Sequence, residues 1–315
     1  MYAYVVRRLL QFAVVVFLAS IAVWAFIYAL PGDPATVLAG PDATDAELAA
    51  TRARLGLDRS AVEQYGVWFG NAIAGDLGTS YFSADTVWQT LLQRIPATAQ
   101  LATFAMALTL LIAIPVGVTV ALWPGSIAGR ALQAYLAAGL AIPAFWLGLL
   151  LIIGFAVQLQ VMPAASDYVP FFEDAARALR NTILPATAIA VHASTIVARF
   201  LAASLREVMG REFIRTARAK GVPERDVIRR HALRNAALPT VTVVGLQLGG
   251  FLGGAVVVEA VFNYPGLGRL LYTSIAERDY AVVQGGVLFV VVVFLCLNLL
   301  VDVLYAYLDP RIRLA

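Results

Sequence analysis

Apolar and polar positions fall along this chain in long blocks rather than short periods. Runs near Leu9 to Leu30, Ala97 to Trp123, Leu132 to Val161, Ile183 to Leu205, Pro239 to Val258 and Val282 to Leu304 are nearly free of charge. A helix rises roughly 1.5 Å per residue, so about 20 such residues cross about 30 Å of hydrocarbon. Six spans are therefore expected. The first run follows Arg7 and Arg8, as in a secretory signal, but it is too long and no small-residue cleavage site follows, so it reads as a retained span. Pro115 and Pro143 lie inside the second and third runs, and Pro239 opens the fifth. Membrane bundles tolerate the bends these make, which suit a translocation path or an inert bundle. Gly245, Gly249, Gly250, Gly253 and Gly254 in the fifth run allow close helix approach. Tight packing is their first reading and a moving gate their second.

The polar blocks carry folding signals of their own. Between the first and second runs, Thr44-x-x-Glu47 and Ser60-x-x-Glu63 both fit the capping box. Two short helices should follow, ending at Gly56 and near Gly75, where glycine can take a left-handed closing conformation. Tyr65, Trp68, Phe69 and Ile73 give the second an apolar face, suited to packing on the body of the protein or to the membrane interface. A further polar block runs from Arg206 to Arg234. Its helix leaves the fourth span and should stop at Gly221, before Val222-Pro223. A new helix is expected from Pro223, with Glu224 and Asp226 favourably placed in its first turn. The result is a helix-turn-helix elbow.

Composition confirms the setting. Hydrophobic residues make up 61% and charged residues 14% of the 315, and mean hydropathy is +0.79, outside the soluble range. Cys296 lies in an apolar run, excludes an intrachain disulfide, and reads as a small packing residue. The block from Arg206 to Arg234 holds nine of the 23 basic residues, including the only lysine, Lys220. With the N-terminus inside and six crossings, the inner side carries 14 basic and 5 acidic residues and the outer side 8 and 14. The positive-inside rule then places both termini and the basic block in the cytoplasm.

Several chemistries are excluded. A phosphate-cradling P-loop needs a lysine followed by Ser or Thr, but Lys220 is followed by Gly221. His192 and His231 are too far apart for a His-Glu-x-x-His zinc helix. An intramembrane aspartyl dyad would need two deep acids, and Asp302, the only clear candidate, lies near the cytoplasmic end of the sixth span, where pairing or capping is the simpler role. His192 suits a polar path or an internal hydrogen bond. A basic loop held to anionic lipid would gain roughly 1 kcal/mol per surface cation. That accounts for the charge of the elbow but not for its ordered turn.

The elbow carries Arg215-Thr216-Ala217-Arg218-Ala219-Lys220-Gly221, with His231-Ala232-Leu233-Arg234-Asn235 ten residues on. The pattern resembles the peptide-permease version of the EAA loop of bacterial ABC importers. Further matches span the chain: Pro31-Gly32-Asp33-Pro34, Gly75-Asp76-Leu77-Gly78, Ile142-Pro143-Ala144-Phe145-Trp146-Leu147-Gly148, Tyr264-Pro265-Gly266-Leu267-Gly268-Arg269, Val283-Gln284-Gly285-Gly286 and Asp309-Pro310-Arg311-Ile312-Arg313. Together they make the chain resemble the B-type transmembrane permease subunit of dipeptide and oligopeptide importers. Arg215, His231 and Arg234 replace the glutamate, isoleucine and proline of the general loop, as in the peptide branch. Ala202 and Arg206 depart from close relatives at the end of the fourth span.

The resemblance implies an all-α polytopic protein with six transmembrane helices in the type I importer permease (MetI-like) fold. Residues 1–30 would form the first span, 31–95 a small helical extracytoplasmic insertion, and 96–315 a five-helix core with its coupling loop at 206–239. It implies a C-type permease partner, two cytoplasmic ATPase subunits or one fused chain, an extracytoplasmic substrate-binding protein and membrane lipid, and no nucleic acid. It also implies a bacterial cytoplasmic-membrane location. ATP and magnesium would sit on the ATPases, leaving this chain without cofactor or metal. Arg215 to Gly221, with His231, Leu233 and Arg234, would couple to an ATPase. His192, Gln247, Glu259, Asn263 and Arg269 are candidates for the path. Di- or oligopeptides are the expected cargo. Nickel chelate, glutathione and heme importers share the scaffold, and a channel or secondary transporter without ATPases is the other class.

Overall fold

The computed structural model describes residues 2–29, 33–40, 42–83 and 85–308. The helices are α1 (Tyr2–Ala29), α2 (Pro34–Ala39), α3 (Asp45–Leu55), α4 (Ala61–Ile73), α5 (Val87–Leu122), α6 (Ile127–Ala141), α7 (Ala144–Leu151), α8 (Ala175–Met209), α9 (Glu212–Ala219), α10 (Glu224–Asp226), α11 (Leu233–Val261), α12 (Leu267–Glu277) and α13 (Tyr280–Leu308). π-helical turns at Ile152–Gln158 and Val227–Ala232 extend α7 and join α10 to α11. The described residues hold no strand beyond one isolated bridge between Thr79 and Thr86.

By length and composition, α1, α5, α8 and α13 can each cross a membrane, and the number reaches six if two bent pairs count as one span each. The third apolar run bends at Pro143, as expected, and far more sharply than one kinked helix. It breaks by 105° between α6 and α7. Pro143 has no N–H to donate and biases Ile142 away from helical backbone, and Ile142 is extended at φ −89°, ψ 119°. α5 begins at Val87, inside the segment read as external.

The chain forms two compact units, the first joining Met1–Thr98 to Pro265–Leu295. Within it, both capping boxes form as expected, at Thr44 with Glu47 and at Ser60 with Glu63. Gly56 and Gly75 are left-handed, at φ +68° and +89°. The aromatic face of α4 packs on α1, with Phe69 against Phe17 at 5.6 Å and Tyr65 against Trp24 at 5.8 Å. The Tyr65 hydroxyl lies 2.9 Å from Ser20 Oγ. Ile73 does not join this face and is exposed. The core of the unit gathers Val87 and Leu91 of α5, Leu267 of α12, and Ala281 and Val282 of α13. Gly285 and Gly286 permit that packing, since a Cβ on them would come within 2.7 Å of Val87 and 2.6 Å of Leu271. Cys296, further along α13, is exposed rather than packed.

Asp279 is the buried polar hinge of this unit. It accepts hydrogen bonds from Ser80 Oγ, the Tyr81 N–H at 3.2 Å and the Val282 N–H at 3.4 Å. Burial first, then the charge of Asp279, pushes the Tyr81 phenol up to about 12. Removing a buried acceptor leaves its donors unsatisfied, at about 1–3 kcal/mol. Asp279→Ala is therefore expected to lower the melting temperature of the detergent-solubilised protein more than Ser80→Ala does. Equal shifts would mean that the backbone donors find water.

The second unit joins Ala99–Tyr264 to Cys296–Ala315. Its centre is α8, which buries residues along most of its length, from Ala178 to Leu205. Helices α6, α7 and α11 pack around it. Small residues bring backbones together here. A Cβ on Gly117 of α5 would stand 2.9 Å from the Ala198 carbonyl oxygen, and one on Gly245 of α11 2.4 Å from Val301 of α13. Gly250 and Gly253 face open space instead. Pro185 also lies inside α8.

Candidate functional site

The elbow lies in the second unit. α8 does not run on to Lys220 as expected. It ends at Gly210, and α9 starts afresh after an extended Arg211 at φ −73°, ψ 152°. α9 closes in the way glycine at 221 predicts. Gly221 is left-handed at φ +75°, its N–H donates to the Arg218 carbonyl at 2.9 Å, and the Val222 N–H donates to the Ala217 carbonyl at 3.2 Å. Those two bonds define a Schellman turn, which satisfies carbonyls that a helix end leaves open. Pro223 then precedes α10, as the helix-start pattern requires.

One side of the elbow is apolar and fixed. Ile214, Ala217, Val227, Ala232 and Ala236 are buried in one cluster with Leu205, Ala202 and Leu201 of α8. Burial of Ile214 alone contributes roughly 1.5–3 kcal/mol. The other side faces solvent. Arg215, Thr216, Arg218, Ala219, Lys220, Gly221 and Arg234 are exposed, whereas His231 and Leu233 are half-buried. Arg218 clamps Glu224 with two bonds, Nε to Oε2 at 3.0 Å and Nη2 to Oε1 at 2.6 Å. That hydrogen bonding holds the Glu224 carboxyl below the ordinary range and raises Arg218. Arg230 pairs with Asp226 at 3.5 Å. The clamp ties the end of α9 to the start of α10 across the turn, a pairing the sequence reading missed. Its signal was a carboxylate in the first turn of α10, facing a basic last turn of α9. The buried underside was missed too, although Ile214 and Ala217 stand three apart, one face of a helix.

The path candidates lie in several structural settings. His192 Nδ1 donates to the Gly139 carbonyl at 3.1 Å, an internal helix-to-helix bond. Asn263 is left-handed at φ +53° and closes α11, with the Tyr264 N–H on the Glu259 carbonyl at 2.8 Å. Glu259 is fully buried and Gln247 half-buried. Arg269 belongs to the first unit and lines a cavity of about 120 Å³ with Arg94 and Gly266. Pro31, Gly32 and the Asp309 to Arg313 motif lie outside the described residues, as does the side chain of Asp302. Among the described residues no group of three or more His, Cys, Asp and Glu side chains is placed to hold a metal ion.

Comparison with known proteins yields two family matches. Residues 113–314 match the model described as binding-protein-dependent transport system inner membrane component, and residues 1–102 match its N-terminal companion. Permease proteins of the glutathione transport system, GsiC, from Escherichia coli strain K12 and from Shigella dysenteriae serotype 1 are each 39% identical over 310 residues, covering 98% of both chains. A solved chain of the methionine ABC transporter MetNI, in inward-facing conformations, superposes with a TM-score of 0.58 at 18% identity, covering 70% of this chain and 97% of that one. That likeness concerns the fold.

Proposed function

This chain belongs to the binding-protein-dependent transport system inner membrane component family, and from that premise we propose that it and a second, C-type permease form the path by which di- or oligopeptides enter the cell. It is an ABC importer permease, a multi-pass membrane protein of the MetI-like fold. In the proposed assembly both termini and the elbow face the cytoplasm, a binding protein delivers peptide from outside, and ATPase subunits supply the energy.

One observation supports the coupling part of this reading: a capped turn whose inner side, Ile214 and Ala217, is buried and whose outer residues, Arg215, Thr216, Arg218, Ala219, Lys220 and Gly221, are exposed. The chain has no P-loop of its own, so a contact must bring in the energy of ATP. The Schellman turn and the Arg218–Glu224 clamp hold that surface in one shape, which reduces the ordering cost of docking. ATP-driven movement of the partner would then bias the spans between two states, as coupling requires.

The glutathione permeases at 39% identity favour a second cargo. Glutathione is itself a tripeptide with an unusual first linkage, so both cargoes ask for peptide bonds and free carboxylates. Uptake of labelled dipeptide, tetrapeptide and glutathione by the full importer, reconstituted in vesicles with its own binding protein, separates them. ATP-dependent accumulation of the ordinary peptides, with glutathione failing to compete, is the expected result. Glutathione uptake alone would replace peptide with the second cargo, and uptake without ATP would remove the importer mechanism.

A further inference from the structure

We propose that a basic cavity in the first unit binds the phosphodiester headgroup of an anionic phospholipid. The cavity measures about 650 Å³, within the usual range of ligand pockets, and is bounded by the end of α1, the end of α3, α4 and the start of α13. Arg52, Arg54 and Arg59 line it, against a single lining acid, Asp33. Arg52 is bound to that Asp33 at 2.5 Å. Among the described residues neither Arg54 nor Arg59 has an ion-pair partner, although the charge of Arg59 is felt by Glu63. The cavity therefore presents two uncommitted guanidinium groups, the side chain best shaped for phosphate oxygens.

Its other walls say where such a phosphate sits. Trp24, on the last turns of the apolar helix α1, and Tyr280, which opens α13, both line the cavity. Aromatic rings at the ends of spans mark the membrane interface, which is headgroup depth. One turn before Trp24 on the same side of α1, Ile21 is exposed and offers an acyl chain an apolar surface next to the ring. The Trp68 indole N–H, on the cavity wall, is buried without an acceptor. A headgroup oxygen would satisfy it after a small tilt of the ring. A dissolved anion would use the arginines but not the aromatic wall or the apolar surface beside it. Basic pockets beside transmembrane helices hold lipid headgroups by this combination. The site would pin α3 and α4 to the membrane surface, a role separate from cargo and coupling.

The test uses the complete transporter in nanodiscs of phosphatidylcholine with a minor share of phosphatidylglycerol, read by native mass spectrometry and by hydrogen exchange over α3. The double variant Arg54→Gln, Arg59→Gln is expected to retain about thirty-fold less phosphatidylglycerol, the size expected for two interfacial cations. Arg54→Lys with Arg59→Lys should stay close to the parent, since charge is kept. Phosphatidylglycerol should also slow exchange over α3 in the parent but not in the glutamine variant. Unchanged retention in the glutamine variant overturns the site. If inorganic phosphate slows exchange equally in pure phosphatidylcholine, a free anion replaces the lipid and the proposal fails in its stated form.

Discussion

Gly221→Val is expected to leave the chain inserted in the membrane and to reduce ATP-coupled uptake about ten-fold or more. Glycine at 221 has φ +75°, and no atom lies within 4 Å of where a Cβ would stand. The penalty is therefore one of backbone conformation and not of crowding. A β-branched residue held in the left-handed region costs about 1–3 kcal/mol. The chain relieves that strain by leaving the turn, which breaks the bonds to Arg218 and Ala217 and swings Lys220 away. A shift of 1.4 kcal/mol in docking is about a ten-fold loss of affinity. Gly221→Asn should recover most of the activity, because asparagine tolerates left-handed backbone. Substrate-stimulated ATPase activity and uptake, measured on the same proteoliposomes, report the outcome. Normal coupling in the valine variant would refute the docking role of this turn.

The second large effect is on stability. Gly139→Ala in α6 is expected to lower the melting temperature, although alanine in a helix ordinarily stabilises by about 0.5–1 kcal/mol relative to glycine. A Cβ there would stand 2.3 Å from Thr195 Cγ2 of α8. Overpacking of that kind costs typically about 1–3 kcal/mol, enough to reverse the sign. Thr195→Ser removes the offending methyl and keeps the hydroxyl, which donates to the His192 carbonyl at 2.7 Å. The double variant should thus regain most of the loss, a coupling that a double-mutant cycle isolates. The same strain would disturb the His192 bond to the Gly139 carbonyl. A rise in melting temperature on Gly139→Ala alone would show that α6 and α8 do not approach this closely.

Those two glycines show what the sequence reveals and what it hides. Gly221 was legible because its signal is local: a basic last turn, a glycine, then Val222-Pro223. The same holds for Thr44 and Ser60, whose capping boxes act over three residues. Gly139 was not legible, since its need arises from Thr195 on another helix. Pro143 lies between. The proline was recognised as a bend, but neighbouring helices decide its size, and 105° divides the third run into two pieces. The elbow followed the same rule. Its turn and basic face were read correctly, whereas the break at Gly210 was missed because helix-forming residues continue on both sides of it. Asn263, a path candidate in the sequence, also closes α11, a role that any residue tolerant of left-handed backbone can fill.

α8 joins the elbow to the far side of the membrane as 35 consecutive helical residues. At roughly 1.5 Å per residue it is a rod about 50 Å long, and a tilt of about 5° would move its far end by about 4 Å. In the proposed assembly, the partner's contact near Gly221 would hold the short handle of a long lever. A displacement too slight to disturb such a docked surface would then, at the other end of that lever, move the helix by about the width of an extended backbone.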